Sequence, residues 1–246
     1  MIIHVAVFQI THGDKCFDVL YKDNSEKSVI SDEILNGVAY PIIPFMSHVK
    51  TIVDIGANIG GAAIYFHINY PDASIYSFEP DPDSFFILRK NIESVTNAHA
   101  YDVCCSNHDG DVEFYRCKGI SAVGSVTNLF TNNVPGQVEV FKVRARDTAT
   151  MFTSIGIPYE IDILKVDTEG SELPIFTSLL SAGFRARLIY TEYHSKDDCK
   201  KINDILSPTH VLWKANPPKL VDQSVGEVVY IDRQFILDSI AHSGSH

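Results

Sequence analysis

Two groups of polar residues in this chain have the types and spacing to do chemistry. In the first, Asp54, Gly56, Asn58 and Gly60 close an apolar run from Thr51 to Ile55, and Glu79 follows a second such run, Ser74 to Phe78. A strand that breaks into a glycine-punctuated turn brings its carboxyl end to a nucleotide-like ligand, and an acid ending the next strand holds a ribose. A dinucleotide turn needs a small residue where Asn58 stands, because the backbone must approach a pyrophosphate. The Asn58 side chain obstructs that approach but can hydrogen-bond a carboxylate or an amino group. Asp54 adds negative charge, which repels phosphate and favours a cation. S-adenosylmethionine meets these terms, with a ribose diol for Glu79, no phosphate, and an ammonium group near Asp54.

The second group lies further along. Lys165, Asp167 and Glu169 are spaced by two, and Glu192 and His194 repeat that spacing. Where the chain stays extended, residues two apart point to one side. Lys165 sits inside an apolar run, so its ammonium needs a carboxylate, which Asp167 or Glu192 would supply. An acid beside an imidazole makes a base for a hydroxyl group, which marks Asp167, Glu192 and His194 as the candidate catalytic residues. The same three side chains could hold a divalent metal ion. Their spacing is not diagnostic of one, and no metal ligand is assigned.

These residues need a scaffold that brings several strand ends to one rim. The pattern predicts an N-terminal hairpin (Ile2 to Phe8 with Phe17 to Tyr21, turning at His12-Gly13-Asp14) and a short helix capped by Ser31 and ending near Gly37. Strands and helices then alternate. The strands are Val49–Ile55, Ile75–Glu79, His99–Cys105, Val112–Tyr115, Val138–Ala145, Ile161–Val166 and Arg187–Tyr193. The helices are Gly60–Asn69, one opening on Asp81-Pro82, Leu173–Leu180, and one capped by Ser195 that runs to Leu206. Two closing strands, Val211–Lys214 and Glu227–Phe235, have no helix between them. The expected fold is α/β, a doubly wound, mostly parallel sheet with an antiparallel edge strand. In such a sheet, ligands sit outside the carboxyl ends of the strands. That rule gathers Asp54, Asn58, Glu79, Asp102 to Cys104, Asp167, Glu169, Glu192 and His194 at one rim.

A chain of 246 residues, 45% hydrophobic and without a linker, suits one large domain of residues 49–246, with residues 1–48 as an extension capping the acceptor side. With 20 basic against 31 acidic residues, a nucleic-acid partner is disfavoured. Five cysteines with no C-x-x-C pair suggest neither a disulfide framework nor a zinc site, and fit a reducing cytoplasm. The apolar start, Met1 to Ile10, is too short for a membrane span and has no basic leader, so it reads as a strand. Self-association is left open.

Three segments resemble the FkbM-type S-adenosylmethionine-dependent methyltransferases. They are Val53-Asp54-Ile55-Gly56-Ala57-Asn58-Ile59-Gly60, Phe78-Glu79-Pro80-Asp81-Pro82 with Phe85, Leu88 and Asn91, and Leu164-Lys165-Val166-Asp167-Thr168-Glu169-Gly170-Ser171-Glu172. The resemblance spans roughly Val49 to His194 and implies a class I (Rossmann-like) methyltransferase fold. It places Gly56 and its neighbours Asp54, Ala57, Asn58 and Gly60 around the methionine part of the cofactor. Glu79, with Pro80, meets the ribose, Asp102 or Cys104 lies near the adenine, and Asp167 joins the cofactor set. The implied partner is a small hydroxylated acceptor, a sugar or a polyketide-like metabolite, methylated on oxygen. Asp102-Val103-Cys104-Cys105 stands where Asn and Ala are more usual. Ser31 to His48 and Gly119 to Gly136, with Tyr40, Phe45, Asn128 and Phe130, are expected to recognise the acceptor. Two competing classes are a cofactor-binding protein without transferase activity and a nicotinamide-dependent oxidoreductase, against which Asn58 counts.

Overall fold

A computed structural model describes residues 4–13, 15–117, 124–126, 138–216 and 225–243. The chain opens with a hairpin, β1 (Ala6–His12) and β2 (Lys15–Tyr21), paired antiparallel. Asp14, expected in its turn, lies outside the described residues. The first helix differs from expectation: α1 (Asn24–Ser28) runs directly into a π-helical turn, Val29–Ile34. Its start signal is Asp23, whose carboxylate accepts the Glu26 N–H at 3.2 Å, while Glu26 accepts the Lys22 N–H at 2.6 Å. That paired acid signal precedes Ser31, which lies inside the π-helical turn.

The frame of the molecule is β3 (Thr51–Ile55), α2 (Gly61–Asn69), β4 (Ser74–Phe78), α3 (Pro82–Asn91) and β5 (Ala98–Tyr101). The chain then leaves this sheet for β6 (Cys104–Ser106), β7 (Gly110–Cys117), β8 (Gly124–Ser125) and β9 (Val138–Asp147). It returns through α4 (Thr148–Ile155), β10 (Glu160–Val166), α5 (Glu172–Ser181), β11 (Arg185–Tyr193) and α6 (Lys196–Leu206). It closes with β12 (His210–Ala215), β13 (Gly226–Asp232) and α7 (Arg233–Ser243). Seven strands form the central sheet in the order β12-β13-β11-β10-β3-β4-β5. β3, β4, β5, β10 and β11 run parallel, as the alternating pattern requires. The antiparallel edge is present, with the reversed strand β13 inserted between β11 and β12 and antiparallel to both.

Strand order reverses between β3 and β10, and such a switch point opens a crevice at the carboxyl ends of the strands. Apolar layers cover both sheet faces. Ile52, Ile64 and Phe66 belong to one core cluster, and Val53, Phe152 and Ile189 belong to the other. Ile10, Phe17, Val19, Ile30 and Ile43 of the first 48 residues pack into the first of these clusters. Asn91 of α3 fastens them: its side chain donates to the Leu20 and Ile59 carbonyls at 2.9 and 2.7 Å and accepts the Leu20 N–H at 2.8 Å. α2 is buried from Gly61 to His67, because the π-helical turn covers its outer side. A Cβ on Gly61 would come within 2.7 Å of Ile30.

Three elements escaped the sequence pattern. β6 to β9 form a separate four-stranded sheet, so His99–Cys105 is two strands in two sheets. α4 is short and threonine-rich, and its one clear signal is the Asp147 cap, which accepts the Thr150 N–H at 2.9 Å. α7 begins where a strand was expected to reach Phe235, because Asp232 accepts the Phe235 N–H at 2.9 Å and turns the chain. Among the described residues no helix is long and apolar enough to cross a membrane, and all five cysteines are free.

Candidate functional site

The crevice at the switch point is a cavity of about 440 Å³. One wall is the turn after β3. Gly56 and Ala57 both donate backbone N–H to the Phe78 carbonyl at 3.0 Å, which pins the turn to the end of β4. Gly56 has φ +76°, and a Cβ there would lie within 1.7 Å of the Asp167 carbonyl oxygen, so the backbone after β10 passes where any side chain would be. Asn58 is also left-handed (φ +48°), and its Oδ1 is buried with no hydrogen-bond partner among the described residues.

Glu79 stands opposite and is 6% exposed. One of its oxygens accepts the Asn58 N–H and the other accepts the Asp81 N–H, each at 2.8 Å. Burial pushes its carboxyl up to about 7, while those two N–H groups work in the other direction. Beyond it, Asp81 caps α3 by accepting the Asp83 and Ser84 N–H groups. Arg116 of β7 holds Asp81 through two nitrogens and reaches Asp83 at 2.9 Å, which binds the four-stranded sheet to this wall. Cys104, expected near one end of the site, lines the cavity, and burial pushes its thiol up to about 12, so it stays neutral.

The far wall is built from side chains at the ends of β10 and β11 and in the loop entering α5. Asp167, Glu169, Glu192 and His194 offer one donor atom each, and these atoms all lie within 4.8 Å of one another. His194 Nε2 is 2.9 Å from Glu169 and 3.5 Å from Glu192, while its Nδ1 faces Glu172 at 3.4 Å. Glu172 is fixed from behind, accepting the Thr168 N–H at 2.8 Å and the Gly170 N–H at 3.1 Å. Burial alone would lower the His194 pKa, but Glu169, Glu172 and Glu192 overcome it and hold the ring well above its ordinary value. Burial also raises the Asp167 carboxyl well above the usual range, and Glu192 adds to the shift.

The sequence expectations fare unevenly here. Gly56, Ala57, Asn58, Glu79, Pro80, Cys104, Asp167, Glu192 and His194 line the cavity. Asp54 lies behind it, completely buried and 3.1 Å from Lys165. The parallel register sets Asp54 and Lys165 side by side on β3 and β10, so Asp54 is the lysine's partner, while Asp167 stands 4.0 Å away. Burial would lower the Lys165 pKa, but Asp54 and Asp167 more than offset it, and Lys165 also donates to the Gly56 carbonyl at 2.5 Å. Asp102 is exposed outside the cavity, with Val103 lining it instead, and Gly60 caps α2 without lining it.

Of the acceptor-side residues, Tyr40 lines the cavity. Phe45 turns away to pack on Trp213 and Phe235, and Asn128 and Phe130 lie outside the described residues. Glu169 reaches the cluster through a left-handed backbone (φ +57°), not through extended alternation. Glu172 was not singled out as a site residue, although it closes the third segment of the resemblance and is an acid in the first turn of α5. A larger depression of about 740 Å³ lies under the opposite ends of the strands, where Asp162 pairs with Arg187, and it has none of these cavity residues.

The family model described as "Methyltransferase FkbM domain" matches residues 54–212. The chain is 26% identical over 156 residues to the 2-O-methyltransferase NoeI of Sinorhizobium fredii, covering 59% of this chain and 64% of that one. It is 23% identical over 172 residues to the 31-O-demethyl-FK506 methyltransferase FkbM of Streptomyces tacrolimicus, covering 59% of this chain and 66% of that one. The match thus spans just under two thirds of either relative. Among solved structures, the fibrillarin pre-rRNA processing protein of Methanococcus jannaschii superposes with a TM-score of 0.53 at 10% identity, over 92% of this chain and 82% of that one. That likeness concerns the fold alone.

Proposed function

This chain belongs to the FkbM methyltransferase domain family, and from that premise we propose that it is an S-adenosylmethionine-dependent O-methyltransferase acting on a hydroxyl of a small sugar or secondary metabolite. The observation that carries this reading is Glu79. It is a buried carboxylate at the switch point, its two oxygens fixed by one backbone N–H each and facing the cavity, so both retain lone pairs for a vicinal diol. The buried Asn58 Oδ1 fits an ammonium donor, and Val103 and Cys104 offer a neutral, apolar surface for a base. Asp167 bridges the two walls. That 2-O- and 31-O-methyltransferases are relatives supports oxygen as the nucleophile.

The cofactor supplies a sulfonium methyl: an O–C bond forms, the S–C bond breaks with its electron pair passing to sulfur, and the hydroxyl proton must be removed. The protein's part is to hold the acceptor oxygen opposite sulfur and to accept that proton. Orientation can contribute about 7–11 kcal/mol of such a barrier, and a positioned base about 10²–10⁴-fold. Asp167 suits the base role by position, since it lines the cavity beside Glu192. Glu192 backs it. His194 stands among Glu169, Glu172 and Glu192 and orients them. Calorimetry with S-adenosylhomocysteine and with NAD, followed by a screen for S-adenosylhomocysteine release across hydroxylated sugars and metabolites, tests the reading. Binding of NAD and not of S-adenosylhomocysteine overturns it.

A further inference from the structure

We propose that Asp167, Glu169, Glu192 and His194 form a site for one hard divalent cation of the manganese or magnesium kind, which holds the acceptor's hydroxyl. The place given to the acceptor rests on the methyl-transfer reading, whereas the cation site itself does not. Four donor atoms lie mutually within 4.8 Å, and oxygens on opposite sides of such an ion stand roughly 4–5 Å apart. All four residues line the cavity, so a cation among them keeps open positions on the side where a substrate oxygen would lie.

His194 gives the independent sign. It is 7% exposed and projects into the acidic group, yet among the described residues neither ring nitrogen makes a well-directed hydrogen bond, although carboxylate oxygens stand 2.9–3.5 Å away. Carboxylate and imidazole donors converging on one point are what a cation requires. Behind the ring, Glu172 faces Nδ1 at 3.4 Å and is itself anchored by two backbone N–H groups. A carboxylate on the far nitrogen is the usual support of a metal-bound histidine, because it fixes the ring and leaves Nε2 to the metal. Three carboxylates with one imidazole form an oxygen-rich set, which suits manganese or magnesium better than zinc or copper. The nearest lysine, Lys165, is committed to Asp54 and the Gly56 carbonyl, so it cannot balance the cluster by itself.

Titration of the full chain with Mn²⁺, followed by the loss of the free-ion electron paramagnetic resonance signal, tests the site. One ion per chain is expected. Glu169→Gln and His194→Gln, each checked for folding by circular dichroism, should each weaken it at least about tenfold, and Glu79→Ala should leave it unchanged. The site is overturned if protein that binds S-adenosylhomocysteine in calorimetry leaves millimolar Mn²⁺ free, or if both folded glutamine variants bind it as the parent does. Mn²⁺ bound as expected by a protein that does not bind S-adenosylhomocysteine would leave the cation site standing and remove the methyl-transfer reading.

Discussion

The two walls of the cavity are built on opposite plans. The wall after β3 and β4 is mostly backbone: a left-handed turn pinned to Phe78, and one carboxylate whose two oxygens are each satisfied by an N–H. The wall after β10 and β11 is mostly side chain, with three carboxylates and an imidazole crowded together and steadied by Glu172 from behind. The first plan gives a rigid mould that recognises shape. The second concentrates charge that is costly unless something shares it, which is how groups come to be poised for proton transfer or cation binding. A reaction between two bound molecules needs both, and the switch point is where the sheet can set them face to face.

The division can be broken by mutation, and the largest effect should come from the residue that both walls share. Gly56→Ala forces a Cβ into the Asp167 carbonyl at a positive φ, so a loss of stability on the order of 3 kcal/mol or more is expected. Thermal unfolding with and without S-adenosylhomocysteine would record it, and a variant with parental stability and binding would disprove the contact. Asp167→Asn should separate the walls, lowering turnover by about 10²–10⁴-fold while S-adenosylhomocysteine binding stays within about threefold. Equal losses in both would mean that the division is false.

Glu79→Ala should do the reverse, weakening S-adenosylhomocysteine at least about tenfold through lost charged hydrogen bonds, with turnover at saturating cofactor largely kept. The smallest effect is that of pH. With its carboxyl pushed up to about 7, Glu79 is ionised above that value and protonated below it, so cofactor affinity should fall as pH drops through 7. Stability runs the other way: between the unfolded value of 4.5 and about 7 the folded chain holds the extra proton, so this group's contribution shrinks as pH rises across that window. Calorimetry at pH 6 and pH 8 on the parent and on Glu79→Gln measures both; a pH dependence that survives in Glu79→Gln assigns it to another group.

The wall after β3 and β4 was legible because its signals are local. Gly56 and Asn58 lie within one turn, and Asp81-Pro82 announces α3 beside Glu79, so no long-range knowledge is needed. The four-stranded sheet was not legible, because Cys104 to Ser106 continues the β5 pattern and only pairing with β9 shows that it has changed sheets. α7 was hidden for a related reason: Glu227 to Phe235 reads as one strand until Asp232 caps a helix.

What the sequence determined by itself is the alternation of strands and helices around the central parallel strands, the turn after the first of them, and the acids that follow their ends, since periodicity and capping are properties of neighbours along the chain. What only the tertiary structure decided is which of those residues meet. The register of β3 against β10 took Asp54 out of the cavity and gave it to Lys165, and the left-handed turn at Glu169 brought a fourth donor to His194. Partnerships between buried charges are fixed by packing across a sheet, where residues more than a hundred positions apart stand about 3 Å from one another.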